Sequence, residues 1–269
     1  MNKFYLIFNF LILSIFFSGS AVQDIIFELD EIVFELNAAP VLESLGMGFL
    51  SDPLVDKYHH KLVDLIEEAE KRHRYPEIEN KAIFRKRKLP NIWCKYLLNR
   101  ISGEEAKKRI ISIIDKNASW FNLFESGILR NAATISFDPK EEVSLLNPNA
   151  KLLALLNNLR KQGIKLHILT NKNQATIDML VKQYPQVMNN FTHIICSGNS
   201  GHIKPSDNAF NHLIDKYQID PKNSLFVERE EECFKKATSL GLKLGFKAVL
   251  FENYDKLVTD LQKLNIKIK

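Results

Sequence analysis

From Asn147 to Phe251 the chain switches between two patterns at short intervals. Lys165–Leu169, Phe191–Cys196, Ser224–Val227 and Ala248–Phe251 are brief apolar runs of strand length. Before and between them, Asn149–Gln162, Asn173–Tyr184, Asp207–Tyr217 and Glu230–Leu240 carry apolar residues at helical spacing. Gly163 suits the left-handed stop after the first of these helices, and Gly241 is expected to end the last. Strands joined through helices pair in parallel, and a parallel sheet needs cover on both faces. The pattern predicts an α/β fold, a Rossmann-like parallel sheet with helices on both faces. In such sheets chemistry gathers beyond the carboxyl ends of the strands.

A further strand stands far upstream. Gln23–Leu29 contains Ile25, Ile26 and Phe27 and runs into Glu28-Leu29-Asp30. The two-residue period of a strand puts Glu28 and Asp30 on one face. Ionised carboxylates that close repel, and settle with a cation or a shared proton. The plain alternative is an edge strand with two solvated acids. No strand alternation appears from about Leu36 to Leu129. Helices are expected to begin at Val33–Glu43, with a loop at Gly46–Phe49, and to follow over Pro53–His73, Pro90–Leu98 and Gly103–Ser126. Pro53 fits a first turn, and Ser102 with Glu105 forms a capping-box pattern. Trp93, Trp120, Phe121 and Phe124 are expected to be buried among these helices. The insert reads as all-helical.

The rest of the chain sets bounds. Lys3, the apolar Phe4–Phe17 and the small residues Ser18–Ala21 have the order of an export signal cleaved after Ala21. That apolar run is short for a membrane span, and an uncleaved anchor is the alternative. Either places the fold outside the cytosol, secreted or periplasmic. The division expected is 1–21 export segment, 22–36 with 131–269 core, and 37–130 cap. A net charge of +5 over 269 residues is mild and no argument for nucleic acid. Cys94, Cys196 and Cys233 allow one bridge at most. His59-His60 and the basic run Lys71–Lys88 read as solvated surface. Asn117-Ala118-Ser119 and Asn190-Phe191-Thr192 match the glycosylation pattern. The sequence is silent on oligomeric state.

The strand tips share one character. Strand one ends in Glu28 and Asp30, and Lys165–Leu169 runs into Thr170-Asn171. The loop after Phe191–Cys196 leads to Lys204-Pro205, and Ser224–Val227 ends in Glu228-Arg229-Glu230. Acids, a hydroxyl with an amide, an ammonium and a second acid cluster, in succession, suit an anion held beside a metal. In this order the residues resemble the four motifs of the haloacid dehalogenase superfamily, most of whose members are magnesium-dependent phosphohydrolases. The likeness covers Ile25–Asp30 and Asn147–Phe251, and the insert is similar to that family's C1 cap. It implies a nucleophile at Glu28 and an acid/base at Asp30. Phosphate binding falls to Thr170, Asn171 and Lys204, and Mg2+ to Asp30, Glu228 and Glu230.

Two departures bear on activity. The family's nucleophile is an aspartate, and Glu28 carries its carboxyl one methylene further out. A misplacement of about 1 Å can cost ~10²-fold in rate. Arg229 stands inside the acid pair of the fourth motif, where its charge opposes a cation. Glu31 occupies a position where many members have glycine. Three readings follow. The first is an exported protein of this fold with impaired phosphohydrolase chemistry that binds a phosphorylated or other anionic small ligand. The second is a working Mg2+-dependent phosphatase that uses Glu28 and Asp30 in altered geometry. The third is a non-catalytic interaction module. Membrane contact is expected only through an uncleaved N-terminal segment.

Overall fold

The computed structural model of the chain describes residues 22–37, 52–72, 81–84, 87–120 and 122–268. The export segment and the loop expected at Gly46–Phe49 lie outside them. The chain opens with β1 (Asp24–Phe27) and β2 (Phe34–Leu36). The insert follows as α1 (Asp52–Arg72), an antiparallel pair of β3 (Ile83–Phe84) and β4 (Arg87–Lys88), α2 (Asn91–Leu97), α3 (Gly103–Lys116) and α4 (Leu123–Phe137). The return path is α5 (Pro139–Ser144), β5 (Leu146–Pro148), α6 (Ala150–Lys161), β6 (Lys165–Thr170), α7 (Gln174–Gln183) and α8 (Pro185–Met188). Then come β7 (His193–Cys196), α9 (Ser197–Ser200), α10 (Asp207–Tyr217), β8 (Ser224–Glu228), α11 (Glu231–Leu244), β9 (Lys247–Leu250) and α12 (Tyr254–Lys263).

The main sheet is parallel, in the order β7-β6-β1-β8-β9. From β1 the chain builds outward through β6 and β7, then crosses back to β8 and β9. Strand order therefore reverses at β1, and a crevice opens beyond its carboxyl end. Alternate residues of the central strands feed opposite layers. Ile25, Phe27, Leu166, Ile168, Leu225 and Val227 pack on one side. Ile26, Leu169 and Phe226 pack on the other. Both faces are dry, which is why these strands read as continuous apolar runs.

Five local expectations are corrected. The stretch expected to start a helix at Val33 forms β2 instead, because Phe34–Leu36 pairs antiparallel with Leu146–Pro148. The insert is not wholly helical, since Ile83–Phe84 pairs with Arg87–Lys88. The helix expected over Gly103–Ser126 is two helices. α3 ends at Lys116, and Asn122 restarts the chain by accepting the Glu125 N–H at 2.8 Å, so α4 runs on to Phe137. Phe124 is 58% exposed at that new helix start rather than buried. The last long helix passes Gly241 and ends at Leu244, with Gly245 in the left-handed region at φ 101°. Gly241 is needed for close approach, because a Cβ there would lie 2.3 Å from the Phe246 carbonyl oxygen.

The insert has its own core, which includes Trp93, Tyr96, Ile110, Ile114, Leu129, Ala133 and Phe137 and takes in Ile203. The division expected at 130/131 therefore falls inside α4, whose later turns pack with the insert. Side-chain amides seat the insert on the core. Asn173 donates to the Tyr96 carbonyl at 2.7 Å, and Asn99 donates to the Gly198 carbonyl at 3.2 Å. Gly198 leaves no room for more, since a Cβ there would sit 2.4 Å from the Gln174 nitrogen. These contacts hold the end of α2 over the carboxyl ends of β6 and β7. Cys94, Cys196 and Cys233 are buried free thiols. Asn190 is buried and its amide donates to Gln186 and Val187 carbonyls, which withholds it from modification.

Candidate active site

Glu28 is the first residue past β1, and its N–H extends the ladder to the Val227 carbonyl at 3.0 Å. Its side chain gathers donors from three elements. Oε1 accepts the Thr170 hydroxyl at 2.5 Å and the N–H groups of Leu29 at 2.6 Å and Asp30 at 3.3 Å. Oε2 accepts Lys204 Nζ at 2.6 Å. The same ammonium bonds both Glu228 oxygens, at 2.9 and 2.8 Å, from a side chain only 1% exposed. Glu28, Thr170, Lys204 and Glu228 thus meet in one place, as their positions at strand ends predict. Thr170 does not cap α7. Asn173 does, accepting the Ala175 N–H at 2.8 Å.

Asn171 stands one step back from an anion. Its Oδ1 accepts the Lys204 N–H at 2.8 Å and the Ser197 hydroxyl at 3.1 Å. Its Nδ2 donates to the Lys204 carbonyl at 2.9 Å. The phosphate-binding role expected for it is replaced by a positioning one, since the amide is committed to the loop that aims Lys204.

Asp30 faces a second buried ammonium that the sequence reading missed. Lys172 Nζ lies 3.0 Å from Asp30 Oδ2 and 2.5 Å from Glu142 Oε1. The other Glu142 oxygen accepts the Thr176 hydroxyl at 2.7 Å. Asp30 Oδ1 is buried without a hydrogen-bond partner among the described residues. Arg229 turns outward, and its Nε donates to Glu31 at 2.9 Å. Glu31 holds a left-handed backbone at φ 58°, in a position where glycine would sit without strain. Glu230 opens α11 as its N-terminal flanking residue.

Charge follows from this packing. Burial works to raise the Glu28 carboxyl, but Lys204, Thr170 and the Leu29 N–H together hold it below the ordinary carboxylate range. Burial pushes Asp30 up to about 6 against the pull of Lys172, with Glu28 and Glu142 adding to the rise. Burial pushes Glu228 up to about 7, against Lys204. For both lysines burial opposes the charge, and the facing carboxylates outweigh it, so both stay cationic.

A family model for haloacid dehalogenase-like hydrolases matches residues 35–228. The chain belongs to this family. The matched stretch takes in Thr170, Lys204 and Glu228 but begins after Glu28 and Asp30. Solved structures agree on the fold. A haloacid dehalogenase family enzyme of Bacteroides thetaiotaomicron shares 18% identity over 89% of this chain and 99% of its own, with a TM-score of 0.56. A predicted family hydrolase of Porphyromonas gingivalis shares 17% over 91% and 99%, at 0.54. The YfnB hydrolase of Bacillus subtilis, solved bound to magnesium, shares 14% over 92% and 100%, at 0.53.

The residues here do not fit the magnesium that such relatives hold. Lys172 lies on Asp30, and Lys204 spans Glu28 and Glu228. Arg229, expected to oppose a cation from inside the acid pair, instead turns away to Glu31 and adds nothing to the misfit. Among the described residues, no group of three or more His, Cys, Asp or Glu is placed to hold a metal ion. The expected metal set of Asp30, Glu228 and Glu230 is therefore not assembled. A hard dication needs several oxygen ligands at close range, and ammonium groups already sit against these. His60, on α1, is half-buried rather than solvated.

A pH dependence of stability follows for this haloacid dehalogenase fold. Asp30 and Glu228 have folded values of about 6 and about 7, above their unfolded ones. Between their unfolded and folded values the native state binds more protons than the unfolded chain. Their contribution is thus full at acid pH and lost as pH rises through 6 to 7. His193 and His212, both pushed down by burial, act in the opposite direction. Replacing Glu228→Gln isolates the acid part. Denaturant midpoints measured from pH 4.5 to 7.5 are expected to show wild type losing stability relative to the variant as pH rises. A constant gap would contradict the buried-acid assignment.

Proposed function

We propose that this chain is an exported member of the haloacid dehalogenase fold in which phosphoryl transfer is impaired, while the Thr170–Lys204 corner still suits a phosphorylated or other anionic small ligand, weakly held. The observation that carries the reading is the fate of the cation positions. Lys172 neutralises Asp30, and Lys204 spans Glu28 and Glu228. Phosphoryl transfer gains most of its rate from positioning and from charge neutralisation around the transferred group. With Asp30 paired to Lys172 and Glu228 to Lys204, a dication would have to displace a buried ammonium to reach either acid. Glu28 adds a second defect, because its carboxylate is turned onto the phosphate-gripping donors. Assay of the mature protein against a panel of phosphate esters, with and without Mg2+, is expected to find little turnover.

Export rests on the charged–apolar–small order of Met1–Ala21. Intact-mass analysis of protein from its native host is expected to show a chain beginning at Val22. A soluble cytosolic form retaining Met1–Ala21 would contradict it.

A further inference from the structure

We propose that Glu28 is a resident anion: its carboxylate fills the oxyanion site from within, so that a tetrahedral oxyanion or a small carboxylate binds well only when Glu28 is displaced or removed. This rests on the family assignment and deepens the reading above. The argument is the donor set. Two successive backbone N–H groups, Leu29 and Asp30, aim at Oε1, and the Thr170 hydroxyl joins them. Lys204 closes on Oε2. Consecutive N–H groups converging on one point form an anion-binding concavity, and charge-assisted bonds from a buried ammonium strengthen it. Such a set is what an external oxyanion would need, and here one side chain of the same protein uses it.

The added methylene is the means. An aspartate at this position would hold its carboxyl about 1.5 Å nearer the backbone, short of the Thr170 hydroxyl that Glu28 reaches. The remaining charges oppose displacement. Among the described residues, Glu228, Asp30 and Glu142 stand about the site with Lys204 and Lys172 as their ion-pair partners, so an incoming dianion meets Glu28 and three more acids. Removing Glu28 deletes one negative charge, frees four donors and leaves Lys204 anchored by Glu228 and by Asn171 at its backbone.

Inorganic phosphate and sodium formate are titrated at neutral pH and constant ionic strength into wild type, Glu28→Ala, Glu28→Asp and the double variant Glu28→Ala/Thr170→Val. Calorimetric affinity and melting temperature are read together. Glu28→Ala is expected to bind phosphate at least tenfold more tightly than wild type and also to take formate. The double variant is expected to lose most of that gain. Wild type binding phosphate as tightly as Glu28→Ala would overturn the proposal, as would indifference to Thr170→Val. If Glu28→Ala does not fold, Glu28→Asp decides, since it keeps the charge facing Lys204 yet withdraws from Thr170. It must bind phosphate more tightly than wild type, and equal affinity overturns the proposal. Failure of this proposal leaves wild-type turnover untouched, whereas ordinary turnover by wild type overturns the impaired-enzyme reading itself.

Discussion

Lys204→Met is expected to cost the fold about 3–5 kcal/mol, the range for removing one partner of a buried ion pair. Lys204 is among the largest fully buried side chains of the chain, and its ammonium is shared by Glu28 and Glu228. Without it two acids remain in a low-dielectric pocket with no cation between them. Glu228, already up to about 7, would then keep its proton further into the neutral range. The deficit is therefore expected to shrink at acid pH, where protonating the two buried acids in the folded variant costs less. A triple variant, Lys204→Met with Glu28→Gln and Glu228→Gln, should recover much of the loss, because removing a whole ionic network costs less than breaking it. Equilibrium denaturation at pH 5 and pH 8 checks both statements. A loss below 1 kcal/mol for Lys204→Met would show that the two acids do not depend on this lysine.

The second large effect is on turnover. Glu28→Asp alone is expected to recover little phosphohydrolase activity, and Arg229→Asp alone little as well. Together they should exceed the product of the single effects, because a nucleophile and the acid that serves its cation act on one step. The geometric part is worth ~10²-fold if the methylene accounts for a misplacement of about 1 Å. Arg229→Asp also releases Glu31 from its 2.9 Å partner and puts a carboxylate beside Glu228. Initial rates for both singles and the double across Mg2+ concentrations decide this. Additive effects would show that the two departures act on separate steps.

Much of the fold was legible because its main strands are buried on both faces and so stand out as apolar runs. Ile25–Phe27 and Leu225–Val227 could hardly be anything else. β2 was not legible, because Phe34–Leu36 becomes a strand only through its antiparallel partner Leu146–Pro148, far along the chain. The break between α3 and α4 had a local signal in Asn117 and Asn122, which sit at a helix end and a helix start. The aromatic residues around them suggested burial and outweighed it. Gly241 looked like a helix stop, whereas its missing side chain serves a close approach to Phe246.

The site divides in the same way. Glu28, Thr170, Lys204 and Glu228 were found because each ends a strand, or follows one, in a single parallel sheet. Lys172 was not, since a lysine two residues past a strand tip looks like any loop lysine. Its meaning comes from Glu142 on α5, which tertiary packing alone brings to it. Asn171 was placed correctly and given the wrong neighbour, because sequence shows which end of the sheet a residue occupies but not which way an amide faces. Arg229 was recognised as a departure, but its pairing with Glu31, 198 residues away, was beyond reach of spacing.

The central claim is that the wild-type pocket does not support ordinary phosphoryl transfer. The most direct measurement is the turnover number of the wild-type protein on a panel of phosphate esters, with and without Mg2+, beside Glu28→Ala. The account predicts no Mg2+-dependent turnover above that of Glu28→Ala. Turnover at ordinary enzyme rates, dependent on Mg2+ and abolished in Glu28→Ala, would contradict it.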